Sequence, residues 1–165
     1  MPDSQKLKKL VHEIEVAMLT THDSDGHLRS RPMATVSTDS SDERDPCLWF
    51  FTGKDSPKAS ELEKDPRVNL SYGDPQKDRF VSVSGRAELV RDREKLKKYW
   101  VPEIQIWFPR GIDDPELSLL KVSVEQAEYW SMKDQERAKP DAHGSEADPA
   151  RWDHEKMKLD ERKAG

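Results

Sequence analysis

A mainly β domain with flanking helices, its six antiparallel strands curled into a closed or nearly closed barrel, is what this chain of 165 residues predicts. Three observations carry that expectation. Short alternating or β-branched runs recur at 17–21, 28–38, 47–52, 67–72, 80–90 and 119–130, mostly separated by Gly, Pro, Asp or Ser. Helical spacing is confined to brief stretches near 4–16, 57–64 and 93–99. The length suits one domain with a real core and is short for two.

In chain order, Leu7, Leu10, Val11, Ile14 and Ala17 lie at helical spacing among lysines and glutamates, the pattern of an amphipathic helix laid on a sheet. Asp25-Gly26 marks a tight hairpin between the first two strands. The second strand carries Arg31-Pro32-Met33, and because proline donates nothing to a ladder, Pro32 predicts an edge, a bulge or backbone diverted towards a ligand. An acidic loop at 39–45 leads to the third strand. Asp65-Pro66 ends the second helix, and Gly85 predicts a bulge or bend in the longest alternating run. Asp92 is placed to cap a third helix that Pro102 limits, and Glu125-Gln126 predicts an irregularity in the sixth strand. These elements define a domain over 1–131. Residues 132–165 are dominated by charge and read as a mobile tail, with 150–163 able to form one isolated polar helix.

The totals exclude several functions. A net charge of −5, with both signs interspersed, argues against a nucleic-acid surface. Cys47 stands alone, so neither an internal disulfide nor a thiolate cluster can form within one chain. None of the five histidines pairs with another at zinc-ligand spacing, and His22 and His27 read as solvated turn residues; no metal is expected. Gly-rich phosphate loops and nucleophile-elbow motifs are absent. The opening MPDSQKLKKL has neither signal-peptide nor membrane-span character, so a soluble cytoplasmic protein is expected, with no membrane partner.

What remains is the joint between the third strand and the second helix, LWFFTGKDSPKASEL over 48–62. Ser56 suits an N-cap and Pro57 the first helical position. Free N–H groups of the first turn would then sit with the Thr52 and Ser56 hydroxyls and the Lys58 ammonium, a composition suited to a phosphate. An ordinary capped loop with a solvated lysine is the competing reading. Trp49, Trp100, Trp107 and Trp130 read first as core or interface residues; among them Trp107, in an irregular segment flanked by prolines, is the best placed to offer a flat face to a planar cofactor instead.

Together RSRPMATV, FFTGKDSPKASEL, DPRVNLSY, RFVSVSGRAELV and WFPRGIDDPELSLLKVSVEQAEYW, in that order, resemble the FMN-binding split-barrel family related to pyridoxamine-5′-phosphate oxidase, and within it the bacterial general stress proteins. The resemblance spans about 4–131 and implies a six-stranded antiparallel split β-barrel that holds FMN. It implies that Arg31, Thr52, Ser56 and Lys58 hold the flavin phosphate and that backbone at Pro32, Met33 and Ala34 runs along the isoalloxazine ring. Phe51 and Trp107 complete the expected cofactor-binding set. A homodimer with two flavins at its interface is also implied. Where the oxidase branch has a second Arg in its Ser-Arg-Lys turn and a Gln near the fifth strand, this chain has Pro57 and Phe80, which counts against pyridoxamine-phosphate oxidation rather than against flavin binding. The expected function is therefore a flavin-dependent oxidoreductase acting on an unidentified small-molecule redox substrate. A non-catalytic flavin carrier or redox sensor, and a haem- or F420-binding relative, are the alternatives.

Overall fold

Leu7, Leu10 and Val11 share one helical face, and burying that face fixes helix α1 (Asp3–Ile14) against the sheet. The computed structural model describes residues 3–39, 46–133 and 152–159. After α1 come β1 (Val16–His22), β2 (Leu28–Ala34), β3 (Cys47–Gly53), α2 (Pro57–Lys64), β4 (Arg67–Asp74), β5 (Arg79–Val90), α3 (Arg93–Tyr99), β6 (Leu117–Met132) and β7 (Trp152–Met157). Single 3-10 turns at Pro102–Ile106 and Gly111–Asp113 bridge α3 to β6.

Every pairing is antiparallel, in the order β2-β1-β4-β5-β6-β3, with β7 also on β6. The two end strands, β2 and β3, meet through the Ser37↔Trp49 bridge that follows β2, where Val36 N–H donates to Trp49 O at 2.8 Å and Trp49 N–H to Ser37 O at 2.9 Å. Elsewhere the sheet stays open between them. This is the expected split barrel, with α2 at one side. Pro32 sits on the edge strand opposite Met18, in a run of pairs without a register shift, so the edge is met and β2 has no bulge there.

Several local expectations are met for the reasons given. Asp92 caps α3, its carboxylate accepting from the N–H groups of Glu94 and Lys95. Gly85 lies at the register shift between β5 and β6, and the extra residue on β6 is Glu125. Gly26 takes φ 82° in the β1–β2 connection, which runs through 23–27 and is held by Asp23 N–H donating to His27 O.

Other expectations need correction. The second strand ends at Ala34, well short of residue 38, because the chain turns there to reach β3. The isolated helix over 150–163 does not form: 152–157 is a strand. One edge of β6 pairs with β5 along its length, while the other is divided, its first half taken by β3 and its second by β7. A polar segment with two apolar residues at its end gains more from completing that ladder than from a helix it cannot bury. Met157 and Leu159 enter the main core, Met157 opposite Ala127, Trp130 stacks on His154 at 4.8 Å, and Asp3 accepts from Lys158 N–H at 2.6 Å. The sheet thus has seven strands among the described residues, not six. The rest of the expected tail, 134–151 and 160–165, lies outside them, as do 40–45 of the acidic loop.

The main core gathers Leu7, Leu19, Phe50, Leu70, Tyr72, Val83 and Leu120 inside the curl. A second cluster forms where α3 and the following turn cover β3 and β6, around Trp49, Leu96, Tyr99, Ile104, Leu117 and Leu119. No described helix is long and apolar enough to cross a membrane.

A candidate anion-binding cleft

Strand periodicity decides which side chains reach the site. In β1, Ala17, Leu19 and Thr21 face inward, and the register Leu19↔Arg31 and Ala17↔Met33 puts Arg31 and Met33 on that same inner face of β2. Helix α2 begins where Pro57 fixes the first turn, and its three-residue spacing brings Lys58 and Glu61 to one face. Strand and helix together enclose an open cleft of about 490 Å3 lined by Arg29, Ser30, Arg31, Pro57, Lys58 and Glu61.

Within it Arg31 is held firmly. Its Nη1 donates to Thr21 Oγ1 at 2.6 Å and its Nη2 to Glu61 Oε2 at 3.2 Å, while Thr21 Oγ1 donates to the same Glu61 oxygen at 2.7 Å. Thr21 and Glu61 are both buried. Lys58 is half-buried; burial pushes its ammonium below the ordinary lysine range, the nearby Arg31 guanidinium pushes it further, and Glu61 pulls the other way. Two cations with a single carboxylate between them leave the cleft electropositive at its floor. At its rim, Arg29 is held by Asp23 at 2.9 Å.

Arg31 and Lys58 are thus brought together as the sequence predicts. Ser56 joins them differently from expectation: its side chain makes no cap hydrogen bond, and its Oγ instead accepts from Lys58 Nζ at 3.4 Å. Thr52, near the end of β3, has a buried hydroxyl with no hydrogen-bond partner among the described residues. A buried donor left unpaired is costly, and a phosphate oxygen is a partner that would satisfy it. Of the four expected phosphate ligands, Arg31 and Lys58 line the cleft, while Thr52 and Ser56 are not among its lining residues. A guanidinium and an ammonium facing one cleft, with hydroxyls close by in the chain, are donor types that suit a phosphate.

The remaining expected contacts are distributed. Pro32 and Ala34 lie exposed on the outer face of β2, and Met33 packs against the main core. Phe51 leans edge-on against Trp100 at 6.1 Å in the second cluster. Trp107, 80% exposed, follows the 3-10 turn beyond α3 and is not among the residues lining the cleft. Sequence reading missed Glu61 and Thr21; the three-residue spacing of Lys58 and Glu61, and the inward phase of Thr21 with Leu19, were the available signals. His22 is no simple turn residue, since its Nδ1 lies 3.3 Å from Asp65 Oδ2. At the hairpin tip Asp23, Asp25 and His27 bring three ligand-type atoms within 4.8 Å of one another, but Asp23 is already spent on Arg29 and on the N–H groups of Asp25 and His27.

Residues 2–140 match the family model described as pyridoxamine 5′-phosphate oxidase like. The chain belongs to that family. It is 31% identical over 141 residues to the protein bli-3 of Neurospora crassa, an alignment covering 78% of this chain and 66% of that protein. It is 34% identical over 81 residues to general stress protein 26 of Bacillus subtilis, covering 47% of this chain and 57% of the relative. The match therefore spans less than two thirds of the length of either. Among solved structures, the general stress FMN/FAD binding protein of Xanthomonas citri superposes with a TM-score of 0.65 at 29% identity, over 78% of this chain and 87% of that one.

Proposed function

We propose that this chain is a cytoplasmic, FMN-binding stress-related protein, a flavin-dependent oxidoreductase of unidentified substrate that works as a homodimer. One observation carries the reading: Arg31 and Lys58 face one cleft, with Lys58 partly desolvated and a buried Thr52 hydroxyl unpaired nearby in the chain. Such a set is electrostatically incomplete until an anion enters. The flavin named for the Xanthomonas relative supplies that anion as its phosphate, and supplies the electron-transfer chemistry. The protein's part is to bind the phosphate through Arg31, Thr52, Ser56 and Lys58, and to orient the ring along the edge strand at Pro32, Met33 and Ala34.

The choice of dimer rests on the outer face of β1 and β2. Val16, Met18 and Leu28 are 49%, 41% and 66% exposed and share that face with Pro32 and Ala34. An apolar stripe on an edge hairpin favours cover by a second copy. Light scattering at tens of micromolar is expected to give twice the chain mass; a monomeric mass overturns the dimer.

The test of the site is a titration. Arg31→Ala and Lys58→Ala each remove a charge-assisted contact of about 1.5–3 kcal/mol and weaken FMN accordingly, while riboflavin, which lacks the phosphate, is little affected. Unchanged FMN affinity in both variants would falsify the phosphate site. The absorption spectrum of the purified protein separates flavin from haem or a deazaflavin directly.

A further inference from the structure

We propose that Thr21 and Glu61 are positioning residues that set which edge of the Arg31 guanidinium meets the phosphate, an inference that rests on the reading of the cleft as a flavin-phosphate site. A guanidinium is a planar fork with five N–H groups and two usable edges: the end formed by Nη1 and Nη2, and the side formed by Nε and Nη2. Here the end is consumed. Nη1 serves Thr21 Oγ1 at 2.6 Å and approaches Leu19 O at 3.5 Å, and Nη2 serves Glu61 Oε2 at 3.2 Å. Nε has no partner among the described residues, and Nη2 carries a second N–H besides the one given to Glu61, so the side edge is the one left to an oxyanion.

The hydroxyl of Thr21 closes the triangle. It accepts from Arg31 and donates to Glu61, so the three groups, one each from β1, β2 and α2, hold one another in a single arrangement. A long, flexible side chain is thereby ordered before the ligand arrives, which removes part of the entropic cost of binding. Glu61 also has an opposing effect, because its negative charge repels a phosphate. A test of positioning must separate the hydrogen bond from the charge.

Glu61→Gln and Glu61→Ala make that separation. Both abolish the charge, but only glutamine offers Arg31 an acceptor oxygen. FMN is expected to bind the alanine variant about tenfold more weakly than the glutamine variant, and Thr21→Val is expected to bind it about tenfold more weakly than the unaltered protein, with riboflavin affinity the same throughout. In an Arg31→Ala background Thr21→Val should have no further effect, since its influence passes through Arg31. Equal FMN affinities for the Gln and Ala variants, or a Thr21→Val loss that persists without Arg31, would overturn the positioning role while leaving the phosphate site standing. Unchanged FMN affinity in Arg31→Ala itself would instead remove the site on which the proposal rests.

Discussion

A chain truncated after residue 133 is expected to lose a large part of its stability, although the charge-rich composition of 132–165 predicts no such loss. Truncation removes β7 and with it Met157 and Leu159, both buried in the main core. Burial of two such side chains is worth about 1.5–3 kcal/mol each, so the deletion costs about 3–6 kcal/mol before the bared half of β6 is counted. Set against a typical total of about 5–15 kcal/mol, that is enough to leave the barrel marginal. The surface pair Lys6–Glu155 at 2.7 Å adds little to this sum, because exposed ion pairs are worth little in water. Urea denaturation of the two chains makes the comparison. A shortened protein with the same midpoint and slope as the full chain would show that β7 is dispensable and that the domain does end near 131.

The second large effect is expected at Gly85. A Cβ built there would lie 2.1 Å from the Ser123 carbonyl oxygen and 3.0 Å from its carbon, and both belong to backbone that is itself paired with β3 and β5. No side-chain rotation relieves such a contact; β6 must move away from β5 at the bulge. Gly85→Ala should therefore cost about 3 kcal/mol or more, a fall in Tm of roughly 6–12 °C for a chain of this size. Thermal melting followed by circular dichroism reads it. A melting temperature within about two degrees of the unaltered protein would mean that the bulge accommodates a methyl group.

Gly85 also shows what kind of information the sequence carries. Where one residue type answers a local backbone demand, the reading succeeds: Gly85 at the register shift, Asp92 at the start of α3 and Pro32 on the edge strand are each dictated by their own chemistry. Lys58 was legible for another reason, since its place just after Ser56-Pro57 ties it to the first turn of a helix, whereas Arg31 entered through the family resemblance and not through any local pattern. Strand β7 was illegible because WDHEKM does not alternate and its two apolar residues, Trp152 and Met157, stand at opposite ends of a polar run; its conformation is imposed by the unfilled edge of β6, which no local pattern records. Glu61 failed similarly. An acidic residue on a short helix reads as solvated, and only the fold puts it against Arg31 and Thr21. Ser56 is the converse case, with the right residue for a cap and a hydroxyl turned to Lys58 instead.

The neighbours of β6 come from distant parts of the chain, which has a consequence for how the protein is made. β3 leaves the ribosome early and carries the apolar run Leu48 to Phe51, yet its partner in the sheet is synthesised only after α2, β4, β5 and α3 have followed. Until then its ladder groups and much of its apolar surface wait without their native cover. The second half of β6 in turn waits for 152–157. β1 and β2 can pair as they emerge, and β4 and β5 soon after, so the nascent chain has a half-sheet ready while its most adhesive strand is still unsheltered. Slow, long-range closure of this kind is the stage at which such chains aggregate, and synthesis at low temperature or with a holding chaperone is where the yield of this protein should respond most.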